Sequence, residues 1–161
     1  NSIRQINGVW KKNTTTILQQ EFTLDAIEHD ILRTRFDDPR IHFAIVCASL
    51  SCPTLRKEAY QPHLLEQQLE DQVKIFLLDP KKFKLASHNY AIYLSPIFDW
   101  FDSDFTEHYN QENTITGRNK KMAAVIDFIR IHLPESQARL ITNSKFNIKY
   151  LDYDWSLNEQ Q

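Results

Sequence analysis

Apolar residues recur at helical spacing in three stretches of the chain, and the first two stretches have residues that start or stop helices at their ends. Thr23 is a candidate N-cap for the first stretch, and Pro62 and Pro80 bracket the second. The repeating apolar positions are Leu24, Ile27 and Ile31 in residues 22–36, Leu65, Leu69, Val73 and Phe76 in residues 61–80, and Met122, Val125, Ile126, Ile129 and Leu133 in residues 119–134. These patterns predict three amphipathic helices.

Other stretches have the pattern of strands. Residues 41–49, "IHFAIVCAS", are apolar on both faces, which is typical of a strand in the middle of a covered sheet. Residues 83–95 alternate on either side of His88 and Asn89, which predicts a hairpin, and residues 145–155 read as a final strand. Residues 96–109 predict a strand end that runs into a short helix. Without regular alternation of strands and helices, we predict an α+β fold whose mixed or antiparallel sheet is flanked by helices.

Length and composition restrict the function classes. At 161 residues the chain is predicted to form a single domain over 1–161. It has two glycines, which excludes a glycine-rich phosphate loop, and no apolar run long enough to span a bilayer. Its net charge of -2 gives no electrostatic case for nucleic acid. We therefore expect no nucleic-acid partner and no membrane span; the compartment stays open.

The two cysteines and a histidine fall within residues 41–53, "IHFAIVCASLSCP". Pro53 suits the first turn of a helix, which would place Cys52 at a positive helix terminus. Because a helix terminus contributes about 0.3–1 kcal/mol and one pKa unit corresponds to about 1.36 kcal/mol, Cys52 needs a second activating group. His42 is the candidate base, provided that residues 49–53 fold back along the predicted strand. The alternative is a buried structural cysteine and a core histidine.

Acidic residues surround a tryptophan at positions 99–104. One of these carboxylates, with Asp104 as the candidate, would orient a catalytic imidazole; solvated surface acids are the alternative. Asp104 and His108 stand four residues apart but have no third ligand at matching spacing. We predict no metal site and no cofactor.

Three motifs resemble one known family. They are residues 22–60, which include "IHFAIVCASLSCP", residues 94–105, "LSPIFDWFDSDF", and residues 153–158, "YDWSLN". Together they are similar to the bacterial and plant proteins classed as domain of unknown function 547, in order from about Ile3 to Asn158. The positions that match the family motifs are Glu28, His29, Arg40, His42, Ser51, Cys52, Pro53, Trp100, Asp104, Phe105, Asp154, Trp155 and Asn158.

The resemblance implies little about activity, but its cysteine and histidine suit a papain- or transglutaminase-like thiol hydrolase by analogy. Here His42 precedes Cys52, opposite to the chain order in papain, so a related site requires a permuted topology or another histidine. Family members also carry an upstream segment similar to Trp-Ile-Asn-x-Tyr-Asn. The resemblance therefore implies that this domain lacks an upstream N-terminal segment.

Two classes of function follow. The first is a cysteine-dependent hydrolase or acyl transferase acting on amide or ester bonds of a peptide: Cys52 is the nucleophile, His42 the base, Asp104 or Asp154 orients the imidazole, and amides of the next helix stabilise the oxyanion. The second is a non-catalytic module that binds a protein partner, or a site that binds a small thiol such as glutathione. The candidate binding residues are Ser51, Trp100, Trp155, Asn158, His29 and Glu28.

Overall fold

A computed structural model describes residues 2–12, 14–112, 114–143 and 145–158. Strands β1 and β2 form an antiparallel hairpin in which Thr14 lies opposite Thr23. The helix that follows, α1 (residues 26–35), begins as a π-helix and ends as one α-helical turn. The bounds in this first part are a 3-10 helix at Ile3–Gln5, β1 at Thr14–Ile17, β2 at Gln20–Thr23, the π-helix at Ala26–Leu32, the α-turn at Arg33–Arg35 and a 3-10 helix at Pro39–Phe43.

The second part of the chain carries the longer helices and a three-stranded sheet. Its elements are α2 at Leu65–Leu78, β3 at Phe83–Ala86, a 3-10 turn at Ser87–Asn89, β4 at Ala91–Leu94, α3 at Ile97–Trp100, a 3-10 helix at Asp102–Phe105, α4 at Lys120–His132, α5 at Glu135–Asn143 and β5 at Asn147–Tyr150. Strand β3 pairs antiparallel with β4, and β5 pairs parallel with the other edge of β4. The sheet is therefore mixed, and the predicted α+β class is confirmed.

A cluster of phenylalanine rings fills the space between the sheet and the helices. Phe128 of α4 stacks on Phe43 at 5.4 Å between ring centroids and meets Phe105 edge-on at 4.9 Å. All three rings are fully buried. Because Phe43 and Phe105 each adjoin a predicted site residue, this cluster anchors the site to the core.

The predicted second and third helices are confirmed as α2 and α4. Asn119 caps α4, since its side chain accepts a hydrogen bond from the Met122 amide at 2.8 Å. The predicted hairpin and final strand are also present, as β3–β4 and β5. The first helix exists, and Thr23 Oγ1 accepts from the Ala26 amide at 3.1 Å, but no residue of its π-helical part is buried.

The predicted strand over residues 41–49 is wrong. Residues Pro39–Phe43 form a 3-10 helix, and the chain is then irregular until α2. Asp38 starts that helix by accepting from the Arg40 amide at 2.9 Å, and Pro39 at the first position has a backbone angle that suits a helix. The first three residues, 41–43, are buried, whereas Ile45, Val46 and Cys47 are half-buried and line a cavity, so the run is apolar for two reasons and not because it lies in a sheet.

The helix predicted to begin at Pro53 is also wrong, because no helix starts in residues 53–64. Residues 96–109 contain α3 and a 3-10 helix instead of the strand end that was predicted. The hairpin β1–β2 and the helix α5 were not predicted. No helix of the described residues is long and apolar enough to cross a membrane.

Candidate active site

A cavity of about 280 Å³ opens between α1, residues 42–53, the start of α3 and the C-terminal segment. Its lining is mainly aromatic and apolar, with acidic and imidazole side chains from α1. The lining residues are Trp10, Asp25, Glu28, His29, His42, Ile45, Val46, Cys47, Cys52, Pro53, Ile97, Trp100, Phe101, Tyr153 and Trp155. Both cysteines and all three tryptophans of the chain therefore line one cavity.

The backbone of residues 47–52 turns back on itself and brings the two sulfur atoms together. The Cys47 amide donates to Cys52 Sγ at 2.7 Å, and the Cys52 amide donates to the Ser49 carbonyl at 3.1 Å. Ala48 takes a left-handed conformation with φ 59°, which is uncommon for a residue with a β-carbon. The sulfur atoms of Cys47 and Cys52 lie 2.7 Å apart.

The C-terminal strap, defined as residues 153–158, holds this loop from outside. The Leu50 amide donates to the Ser156 carbonyl at 2.9 Å, and the Asn158 amide donates to the Ala48 carbonyl at 2.9 Å. Ser51 Oγ accepts from the Asp154 amide at 2.9 Å. Two motifs that are about a hundred residues apart in sequence are therefore one structural unit, in which the strap fixes the cysteine loop.

The two thiols have different surroundings. Cys47 is half-buried, and its sulfur lies 3.1 Å from Ser49 Oγ and 3.4 Å from Tyr153 OH, while Cys52 is 4% exposed. A hydrogen bond from the Cys52 thiol, assisted by those of Ser49 and Tyr153, lowers the pKa of Cys47. The same bond to Cys47, together with burial, raises the pKa of Cys52. The hydrogen-bond pattern therefore favours a thiolate on the more accessible sulfur, that of Cys47.

His42 lines the cavity and is paired with the carboxylate of Asp104, which does not itself line it. Its Nε2 lies 2.8 Å from Asp104 Oδ2, and Asp104 is held by a two-pronged bond from Arg33, with Nε at 2.7 Å and Nη2 at 2.8 Å. Burial raises the pKa of Asp104, but the hydrogen bonds and charges of His42 and Arg33 hold it well below its usual range. An ionised Asp104 fixes the imidazole orientation.

A ring contact fixes the plane of the imidazole. The His42 ring stacks on Phe101 with centroids 3.9 Å apart and planes 16° apart. The side chain of His42 is 2% exposed, and within the described residues its Nδ1 makes no hydrogen bond. Because Nε2 contacts Asp104, Nδ1 is the ring nitrogen that can exchange a proton with another group.

The predicted binding residues of α1 lie at the cavity. His29 Nδ1 lies 3.0 Å from Arg33 Nη1, and its Nε2 lies 3.8 Å from Asp25 Oδ1. Glu28 also lines the cavity. The helix thus supplies charged groups at one side of an aromatic pocket.

The predicted tryptophans meet at the other side of the cavity. Trp100 stacks on Trp155 with centroids 5.8 Å apart and planes 21° apart, and Tyr153 lies 4.8 Å from Trp100. The guanidinium of Arg4 lies 5.0 Å from the centroid of the Trp155 ring. These rings form an aromatic wall, one ring of which already contacts a cation.

Other predicted residues do not face the cavity. The exposed carboxylate of Asp154 accepts a hydrogen bond from the Ser156 amide at 2.9 Å, so it does not orient His42. Asn158 and Ser51 contribute to the strap contacts described above. Arg40 pairs with Asp38 and Glu66, away from the cavity.

Sequence reasoning missed several residues of the site. Cys47 was read as part of a strand face, although its position five residues before Cys52 was visible in the sequence. No local pattern indicated Arg33, Phe101 or Tyr153 as contributors. Among residues 2–12, 14–112, 114–143 and 145–158, no three His, Cys, Asp or Glu side chains are grouped to hold a metal ion.

One family model matches the chain. It is described as "Protein of unknown function, DUF547" and matches residues 2–77, so the chain resembles that family over this region. The matched region includes both cysteines and His42, whereas Asp104 and the strap lie outside it. No curated protein and no solved structure is significantly similar to the chain.

Proposed function

We propose that the cavity is the active site of a cysteine-dependent hydrolase or acyl transferase, with Cys47 as the nucleophile and His42 as the base. The observation that carries this proposal is that Cys47 and the His42–Asp104 pair line or adjoin one cavity. A nucleophile, a base and a group that orients the base are the parts that acyl transfer requires.

The assignment differs from the expectation for Cys52. The half-buried Cys47 has access to the cavity and accepts hydrogen bonds, while the buried Cys52 thiol donates a hydrogen bond to Cys47. A thiolate is the reactive form of cysteine. Cys52 therefore acts as a positioning residue that stabilises the Cys47 thiolate.

The chemistry follows from these roles. His42 takes the proton of Cys47, and the thiolate forms a carbon–sulfur bond to the carbonyl of an amide, ester or isopeptide. The bond to the leaving amine or alcohol breaks as that group takes the proton from the His42 imidazolium. Water or an amine, deprotonated by His42, then releases the acyl group and restores the thiol.

The lining favours a substrate that carries an apolar group beside an amine or another cation. Glu28 and Asp25 supply negative charge at α1, and the rings of Trp100 and Trp155 form the facing wall. Aromatic faces attract cations, as the contact of Arg4 with Trp155 illustrates. This combination suits peptides and amine-bearing acyl compounds better than anionic substrates.

The experiment is acylation by p-nitrophenyl acetate, followed by intact-mass and peptide mapping. Wild type should release p-nitrophenol in a burst and carry one acetyl group on Cys47. His42→Asn should slow acylation by about 10²–10⁴-fold, the usual contribution of a positioned base. His88→Asn, an exposed histidine in the β3–β4 turn, is the matched control and should leave the rate unchanged.

The proposal fails if the acetyl group is absent from Cys47, or if the two histidine variants acylate at the same rate. Cys47→Ala should abolish the burst while keeping the fold, which circular dichroism checks. An acetyl group on Cys52 alone would keep a thiol enzyme but contradict the assignment of the nucleophile.

A second candidate is a binding module without catalysis, and the exposure of Trp100 favours it. This side chain is 47% exposed although it belongs to the aromatic wall, and exposed tryptophans often anchor interfaces. If Trp100→Ala abolishes binding of a peptide that Cys47→Ala still binds, and no acyl adduct forms, the binding module is the better account.

A further inference from the structure

We propose that Cys47 and Cys52 form a reversible dithiol–disulfide couple that reacts with small disulfide compounds at this cavity. This activity is separate from acyl transfer, because it uses both sulfur atoms and requires no carbonyl substrate. It explains why a second thiol lies beside the nucleophile.

The geometry requires little movement to form the bond. The sulfur atoms are 2.7 Å apart, and a disulfide bond is about 2.0 Å long, so closure needs a shift of about 0.7 Å. The proximity is built into the backbone, because the Cys47 amide bonds Cys52 Sγ and Ala48 takes a left-handed turn between them. The strap contacts to Ala48, Leu50 and Ser51 hold this loop in place.

The two sulfur atoms are suited to different steps. Cys47 is half-buried beside Ser49 and Tyr153, so an incoming disulfide can reach it from the cavity. Cys52 also lines the cavity but is only 4% exposed, so small molecules have less access to its sulfur than to that of Cys47. This arrangement assigns Cys47 to the attack and Cys52 to the resolution of the mixed disulfide.

The electrons balance in two exchanges. The Cys47 thiolate attacks one sulfur of a disulfide RSSR, forms the mixed disulfide Cys47–SR and releases RS⁻. The Cys52 thiol loses its proton to solvent and attacks the Cys47 sulfur, which forms the Cys47–Cys52 bond and releases the second RS⁻. The protein loses two electrons and the protons of both thiols, that of Cys47 when its thiolate forms and that of Cys52 in the second exchange, and the two RS⁻ ions take up two protons as RSH.

This couple has a consequence that rests on the proposed function. Oxidation removes the Cys47 thiolate, so the disulfide form cannot form an acyl-enzyme. Reduction by a dithiol restores it. The acyl activity is therefore expected to depend on the redox state of the surroundings.

The test exposes the reduced protein to bis(2-hydroxyethyl) disulfide, a small neutral disulfide, and measures intact mass and iodoacetamide labelling. Wild type should lose the mass of two hydrogen atoms, retain no hydroxyethylthio group and label at neither cysteine. Dithiothreitol should reverse all three results. Peptide mapping should join the segments that contain Cys47 and Cys52, a measurement that needs no variant.

The single-cysteine variants separate the roles. Cys52→Ser should stop at one hydroxyethylthio group on Cys47, and Cys47→Ser should react at least about tenfold more slowly at the buried Cys52. Wild type that retains the hydroxyethylthio group, or that keeps both cysteines open to iodoacetamide, would overturn the proposal. Disulfide formation without any acetyl adduct on reduced Cys47 would instead overturn the proposed acyl chemistry and leave the redox couple standing.

Discussion

The substitution Asp104→Asn tests the orientation of the imidazole without changing the size of the side chain. Asp104 accepts three short charge-assisted hydrogen bonds, two from Arg33 and one from His42, and a longer one from Ser103 Oγ at 3.5 Å. An amide keeps one acceptor oxygen, so one or two of these bonds are lost, each with a net contribution of about 1.5–3 kcal/mol. Because the carboxylate is 22% exposed, water replaces part of the loss. We expect the free energy of unfolding to fall by about 2 kcal/mol.

The effect on chemistry should be larger than the effect on stability. Without the carboxylate, His42 loses its fixed orientation, and acylation of Cys47 should slow by about 10²–10⁴-fold. Urea denaturation measures the free energy of unfolding, and the p-nitrophenol burst measures the acylation rate. Both are measured on protein kept reduced.

The pH dependence of stability supplies an independent check on Asp104. The pKa of Asp104 is lowered in the folded protein. The stability that Asp104 contributes is therefore complete above the pKa of an unfolded aspartate, about 4, and is lost as the pH falls towards the folded pKa. The stability difference between wild type and Asp104→Asn should therefore shrink between about pH 5 and about pH 2.

Asp102→Asn is the matched control. Asp102 is a nearby carboxylate that pairs at 2.7 Å with Lys121, whose side chain is 55% exposed, and an exposed pair of this kind contributes about 0–1 kcal/mol. Asp102→Asn should leave the p-nitrophenol burst unchanged. Equal burst rates for Asp104→Asn and wild type would refute the role of Asp104, whatever happens to stability.

Three further predictions concern the strap, the core and the cavity lining. Ser51→Ala removes the acceptor of the Asp154 amide and should lower the free energy of unfolding by about 1–2 kcal/mol in urea denaturation; an unchanged value would contradict the strap. Phe128→Ala should lower the free energy of unfolding by about 3–5 kcal/mol in the same assay. Phe36 is 60% exposed, so Phe36→Ala should lower it by less than about 0.5 kcal/mol. Glu28→Gln should weaken binding of benzyltrimethylammonium, measured by tryptophan fluorescence, and equal affinity would contradict a cationic subsite.

Helical periodicity predicted the elements whose burial is regular. Helix α2 buries one continuous face, so the spacing of its apolar residues reports its packing. Helix α4 is buried on all sides over seven consecutive residues, 123–129, and its apolar spacing predicted the helix but not this full burial. The hairpin β1–β2 escaped prediction because all four residues of β1 are exposed, which leaves no alternation of buried and exposed positions. Pairing there is set by backbone hydrogen bonds.

Residues 41–49 show where pattern reasoning failed. A short run that is apolar on both faces does not distinguish a strand from other buried segments. Here its first residues end a buried 3-10 helix, and the next ones line a cavity. The signal that distinguishes the 3-10 helix from a strand was Asp38 followed by Pro39, which starts a helical turn.

The site depends on contacts between residues that are far apart in sequence. His42 and Asp104 are separated by 62 positions, and Tyr153 lies 106 positions from Cys47. No spacing rule links such residues. The family resemblance supplied His42, Asp104 and Asp154, and it left Asp104 and Asp154 as alternatives for orienting the imidazole. The choice between the two cysteines required their burial and hydrogen bonds, which only the fold determines.

The central claim is that Cys47 is ionised in a cavity served by His42. The most direct measurement is the rate of iodoacetamide alkylation of Cys47, resolved by peptide mapping, as a function of pH. At pH 6.5 a free thiol of pKa about 8.5 is only about one-hundredth ionised. We predict that Cys47 still reacts near its plateau rate at this pH and that Cys52 does not. A Cys47 rate that follows the free-thiol curve, unchanged in His42→Asn, would contradict the account.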